Sequence, residues 1–79
     1  MDMKNVQILG PGCANCVRLA DNVTAAAEQL GIEYTLQKVT DIQAIVDAGV
    51  MRTPALVIDG TVEVYGRVPS VDEIKAMLA

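Results

Sequence analysis

Cys13 and Cys16 are the only cysteines of the chain, and they stand three apart in Cys13-Ala14-Asn15-Cys16. The apolar run Val6-Gln7-Ile8-Leu9 leads up to them, with a Gly10-Pro11-Gly12 turn between, and a helical pattern follows. Thiols at i and i+3 on the first turn of a helix reach each other and a partner's disulfide. The free amides and dipole at a helix start favour the thiolate, which is the attacking species. Such a pair reads as redox chemistry. A disulfide across so short a loop removes little unfolded-state entropy, so a purely structural bridge has little to recommend it.

Around that pair, the 79 residues allow one domain, residues 1–79, with one small core, and 52% hydrophobic residues supply enough apolar material to fold without staples. The net charge is −4 and the only aromatics are Tyr34 and Tyr65, which argues against a nucleic-acid partner. The longest apolar runs, such as Ala55-Leu56-Val57-Ile58, are too short to span a membrane, and Met1 to Asn5 carry no signal-peptide pattern. These features predict a cytoplasmic chain without a membrane partner, in a compartment where paired thiols are more often catalytic than structural.

The elements that must hold the thiols follow from periodicity. Met3 to Leu9 reads as a strand, and Cys13 to Leu30 as a helix whose stripe is Val17, Ala20, Val23, Ala27 and Leu30, with Gly31 as its cap. Ile32 to Val39 alternates as a strand. Thr40 or Asp41 caps a short helix carrying Ile42, Ile45 and Val46 that stops at Gly49. Ala55 to Ile58 reads as a central strand buried on both faces. Asp59-Gly60 then turns into Thr61 to Tyr65, with Val62 and Val64 on one face opposing Thr61, Glu63 and Tyr65. Ser70-Val71-Asp72-Glu73 is a capping box opening a last helix lined by Val71, Ile74 and Leu78.

The order β-α-β-α-β-β-α with CxxC after the first strand resembles the thioredoxin superfamily. So does the segment Gly49 to Gly60, in which a Thr53-Pro54 pair precedes an apolar strand and a polar-Gly turn, and so does Gly66 after the hairpin. In size the chain is closest to the small, glutaredoxin-sized redox-active disulfide proteins. The resemblance implies an α/β chain with a minimal thioredoxin fold, a four-stranded mixed sheet with three helices. It implies a monomeric thiol–disulfide oxidoreductase that reduces protein disulfides without a cofactor or metal. An upstream electron donor such as a thioredoxin-reductase-like enzyme would recharge it. Cys13 is then the nucleophile and Cys16 the resolving thiol, while Thr53, a cis Pro54 and Gly66 form the substrate groove.

The chain departs from family habits at Ala14-Asn15 between the cysteines, at Gly12 before them, at Gln7 beneath them, and in having no histidine. Arg18 and Arg52 read as solvated charges, Met51 as core filling and Tyr65 as half-buried strand packing. Asn15 is read as tolerated near a helix start.

Two other functions fit a lone CxxC. Heavy-metal-associated copper carriers place it between a first strand and a helix, and two thiolates bind Cu(I) linearly. Their order is β-α-β-β-α-β, however, and Thr53-Pro54 has no task there. A tetrahedral zinc site would need the four cysteines of a dimer. The remaining reading is an interaction module whose disulfide signals without turning over substrate.

Overall fold

The computed structural model describes residues 3–79. Met1 and Asp2, part of the segment searched for a signal peptide, lie outside the described residues. The elements are β1 (Lys4–Leu9), α1 (Ala14–Leu30), β2 (Tyr34–Val39), α2 (Ile42–Asp47), β3 (Ala55–Ile58), β4 (Thr61–Tyr65) and α3 (Val71–Leu78). The order β-α-β-α-β-β-α is the one expected. Met3 falls just outside β1, and Ile32 and Glu33 precede β2.

The strands form one mixed sheet in the order β2-β1-β3-β4. β1 runs parallel to β2, with Ile8 opposite Lys38 and Leu9 opposite Val39. It runs antiparallel to β3, with Leu9 opposite Ala55. The α1 connection is the crossover that a parallel pair requires. Asp59 and Gly60 both have positive φ (51° and 84°), the backbone of a tight hairpin turn between β3 and β4.

Alternation sorts the side chains onto two faces. Val6, Ile8, Leu56, Ile58 and Val64 meet α1 and α3 through Leu19, Val23, Ile74 and Leu78. Leu9, Ala55 and Val57 meet Ile45 and Val50 on the α2 side. β3 therefore needs an apolar residue at every position, and all four of its side chains are buried. Each fully buried Leu, Ile or Val on these faces contributes about 1.5–3 kcal/mol by leaving water. Asn22 Nδ2 donates to the Pro69 carbonyl at 3.0 Å, tying α1 to the segment that starts α3. The capping box of α3 is complete, and the Arg67 guanidinium with the Ser70 N–H holds the Glu73 carboxyl below its ordinary range.

Two expectations about facing need correction. The buried stripe of α1 is Cys16, Leu19, Ala20, Val23, Ala26 and Ala27, whereas Val17 is 49% exposed. The helix is phased by Cys16, which must turn inward. Val62 is exposed because of a bulge in the β3–β4 pairing. Val57 opposes Val62 while Leu56 opposes Val64, so the two valines lie on opposite faces. Ile42 and Val46 of α2 are exposed, and Ile45 alone of that helix is buried.

Candidate active site

The Gly10-Pro11-Gly12 turn carries the chain from the end of β1 to the start of α1, and Cys13 is the residue that caps this helix. Its extended backbone (φ −68°, ψ 169°) leaves Sγ over the first turn, where it accepts the Cys16 N–H at 3.3 Å. The Cys13 carbonyl accepts the Val17 N–H at 3.0 Å, so the helix begins directly beneath the thiol. Both cysteines are free, and the two sulfurs stand 2.7 Å apart.

Their surroundings differ. Cys13 is exposed and Cys16 is buried. The Cys13 thiol is held below its ordinary value, first by the hydrogen bond shared with the Cys16 thiol and then by the Cys16 backbone N–H, with a further contribution from the Asn15 N–H. Cys16 is pushed up, first by burial and then by donating to Cys13. Of the two, Cys13 is the thiol that gives up its proton more readily.

The neighbouring turn supplies the other side of the site. A Cβ built on Gly10 would collide with Cys16 Sγ and lie 3.7 Å from Thr53 Cβ, so Gly10 is the spacer between the inner sulfur and Thr53. The Thr53–Pro54 peptide bond is cis. Pro54 is buried, and its carbonyl accepts the Gly66 N–H at 3.0 Å. A Cβ on Gly66 would press on the Arg52 side chain at 3.2 Å. The structure thus brings Cys13, Cys16 and Thr53 together around Gly10. It joins Gly66 to the turn behind Thr53, through Pro54 and Arg52.

A small cleft of about 40 Å³ opens beside Cys16, lined by Ile8, Gly10, Gly12, Val17, Lys38 and Thr40. A wider hollow of about 420 Å³ on the α2 face, between Leu9, Val39, Ala44 and Val57, holds no thiol. Chemistry rather than size therefore marks the site. Met51, expected in the core, is 88% exposed, because the loop after α2 turns it away from Val50, which is buried. Tyr65 is 52% exposed, more open than half-buried packing would leave it.

Gly10 and Lys38 are the site residues that sequence reading missed. Gly10 was legible only as part of a turn. Lys38 carries a signal in its parity, because Tyr34 and Leu36 pack on the α1 face and Lys38 continues that row next to Ile8.

An exposed, more acidic thiol paired with a buried, less acidic one at a helix start, on a β-α-β scaffold, fits a dithiol redox protein. Comparison with known proteins agrees. The family described as "Thioredoxin domain" matches residues 4–79. A thioredoxin of Methanothermobacter thermautotrophicus is 40% identical over 98% of this chain and 100% of its own length. A thioredoxin of Methanocaldococcus jannaschii is 40% identical over 92% of this chain and 84% of its own. The solution structure of a dimeric thioredoxin-like protein from Nitrosomonas europea superposes with a TM-score of 0.59 at 29% identity, covering 94% of this chain and 98% of that one. The chain belongs to the thioredoxin family. It is a thiol–disulfide oxidoreductase in the general sense of that family. No helix among the described residues is long and apolar enough to cross a membrane.

Proposed function

We propose that this protein reduces disulfide bonds of protein substrates, with Cys13 as nucleophile and Cys16 as resolving thiol. The carrying observation is the asymmetry of the pair, an exposed thiol held below its ordinary value 2.7 Å from a buried one pushed above it. The Cys13 thiolate attacks one sulfur of the substrate disulfide. A Cys13–substrate bond forms, the substrate S–S bond breaks, and the other substrate sulfur leaves as thiolate. Cys16 then loses its proton and attacks Cys13 Sγ. The second substrate sulfur leaves, so two electrons have passed from the dithiol to the substrate. An upstream donor such as a thioredoxin-reductase-like enzyme returns the two electrons to the Cys13–Cys16 disulfide.

Thr53, Pro54 and Gly66 form the groove for the substrate segment. Pro54 has no N–H to compete with the sulfurs, and Thr53, exposed beside Gly10, offers its backbone to an extended peptide. The protein acts as a monomer in the cytoplasm, with no cofactor.

The test is catalytic reduction of insulin disulfides with excess dithiothreitol as donor. Many disulfides reduced per protein molecule, well above the rate with dithiothreitol alone, is the expected result. Reduction that stops at one disulfide per molecule favours the signalling module. Absence of reduction together with rapid Cu(I) transfer to a partner domain favours the metal carrier.

A further inference from the structure

The six basic side chains of this acidic chain are not evenly placed. Lys4 pairs with Asp59 at 3.6 Å and Arg67 with Glu73 at 2.9 Å. Lys75 lies in the last turn of α3, where the helix dipole favours a cation. The other three, Arg18, Lys38 and Arg52, belong to three separate segments near the dithiol, namely α1, β2 and the loop before β3. Arg18 follows Cys16 by two residues on the second turn of α1. Lys38 lines the cleft beside Cys16. Arg52 precedes Thr53, and its stem lies against Gly66. All three are exposed, and none forms an ion pair among the described residues.

No carboxylate among the described residues forms an ion pair with these three cations. Asp21, one turn beyond Arg18, forms no ion pair among the described residues, and Asp41 near Lys38 is engaged as the cap of α2, accepting the Gln43 N–H at 3.1 Å. Asp47 takes the Gln43 side chain at 3.0 Å. Glu33 and Asp59 sit at the opposite end of the sheet, where Lys4 at the start of β1 bonds the Glu33 carbonyl and pairs with Asp59. Glu28 is in the last turn of α1, roughly 18 Å along the axis from Cys16 at 1.5 Å per residue. Arg18, Lys38 and Arg52 therefore stand unpaired among the described residues, while the two ion-paired carboxylates, Asp59 and Glu73, are taken by Lys4 and Arg67.

We propose that this basic rim selects its disulfide partners: Arg18, Lys38 and Arg52 favour protein segments that carry Asp or Glu within two or three residues of the reacting cysteine. The proposal rests on the thiol–disulfide exchange argued above. An extended partner places such residues about 7–10 Å from its sulfur, within one Debye length of the rim at about 0.1 M salt. Charges of opposite sign at that range speed encounter and suppress wrong partners, and screening by salt removes the effect.

The test compares disulfide-linked peptides of equal length whose cysteines are flanked by Glu, by Gln or by Lys. The readout is the ratio of kcat/KM for the Glu peptide to that for the Lys peptide, so a general loss of activity cancels. We expect a ratio of about ten or more at low salt, falling towards one at about 1 M salt, where the Debye length is near 3 Å. The triple variant Arg18→Gln, Lys38→Gln, Arg52→Gln should abolish the preference, and Arg18→Lys, Lys38→Arg, Arg52→Lys should keep it. Equal rates for Glu and Lys peptides, or a preference that survives the Gln variant, would overturn the rim. Turnover of the neutral Gln peptide separates the two ideas. If it proceeds while the ratio is one, only the rim fails. If none of the three peptides is reduced, the exchange reading fails and the rim with it.

Discussion

Cys13→Ser should lose disulfide reduction by at least about a thousandfold, because it removes the group that forms the covalent intermediate. Cys16→Ser should lose steady-state turnover to a similar extent by another route. It keeps the exposed thiol at the helix start, so it should still attack and then stall. Gels run without reductant should show Cys16→Ser linked to substrate through Cys13, with the adduct released by added dithiol. Cys13→Ser should form no such adduct. The difference follows from exposure alone. A partner's disulfide reaches Cys13, whereas Cys16 is 5% exposed behind it. Adducts accumulating on Cys13→Ser and not on Cys16→Ser would reverse the two roles.

Gly10→Ala should damage both stability and chemistry. The added methyl would occupy the space of Cys16 Sγ and touch Thr53 Cβ at 3.7 Å. The Gly10 N–H bonds the Val39 carbonyl at 2.9 Å, which ties this part of the chain to β2 and resists a shift away from the sulfur. Overpacking of this kind costs about 1–3 kcal/mol. A sulfur displaced by about an ångström lowers the rate on the order of a hundredfold. Urea unfolding and turnover together measure both effects. A further comparison makes the cause specific. In a Cys16→Ala background the methyl meets no sulfur, so the stability cost of Gly10→Ala should shrink markedly. The same cost in both backgrounds would show that Gly10 serves something other than the inner thiol.

Much of this architecture is legible in the residues because local and global signals coincide. Ala55 to Ile58 reads as a two-faced central strand, and it packs Leu56 and Ile58 against α1 and α3 while Ala55 and Val57 face α2. Ser70 to Glu73 reads as a capping box and forms one. The cysteine pair sits at the helix start that its lead-in strand and turn imply. What escaped depends on neighbours distant in sequence. Leu19 is fully buried although Val17 looked like the better core residue, because the phase of α1 is set by Cys16 fitting against Gly10. Val62 points away from the main core because a bulge against β3 shifts its register, and alternation within β4 holds no trace of it. Gly10 matters through a contact with a residue six positions on, and a glycine in a turn looks the same whether it serves the bend or makes room. Lys38 belongs to a segment that the sequence shows only as an alternating strand, and its pairing with Ile8 puts it on the thiol's side of the sheet.

The central claim is that the pair is asymmetric, with Cys13 the ready thiolate. Site-resolved alkylation of the reduced protein across pH, read by mass spectrometry, tests it most directly. Hydrogen bonds from Cys16 hold the Cys13 thiol down, so its reactivity should persist as the pH falls below the free-cysteine value of about 8.5. Burial pushes Cys16 up, so its labelling should require more alkaline solution and trail at every pH. Iodoacetamide near neutral pH should therefore modify Cys13 first and almost alone. Labelling of Cys16 ahead of Cys13, or equal labelling with a midpoint at the free-cysteine value, would contradict the account.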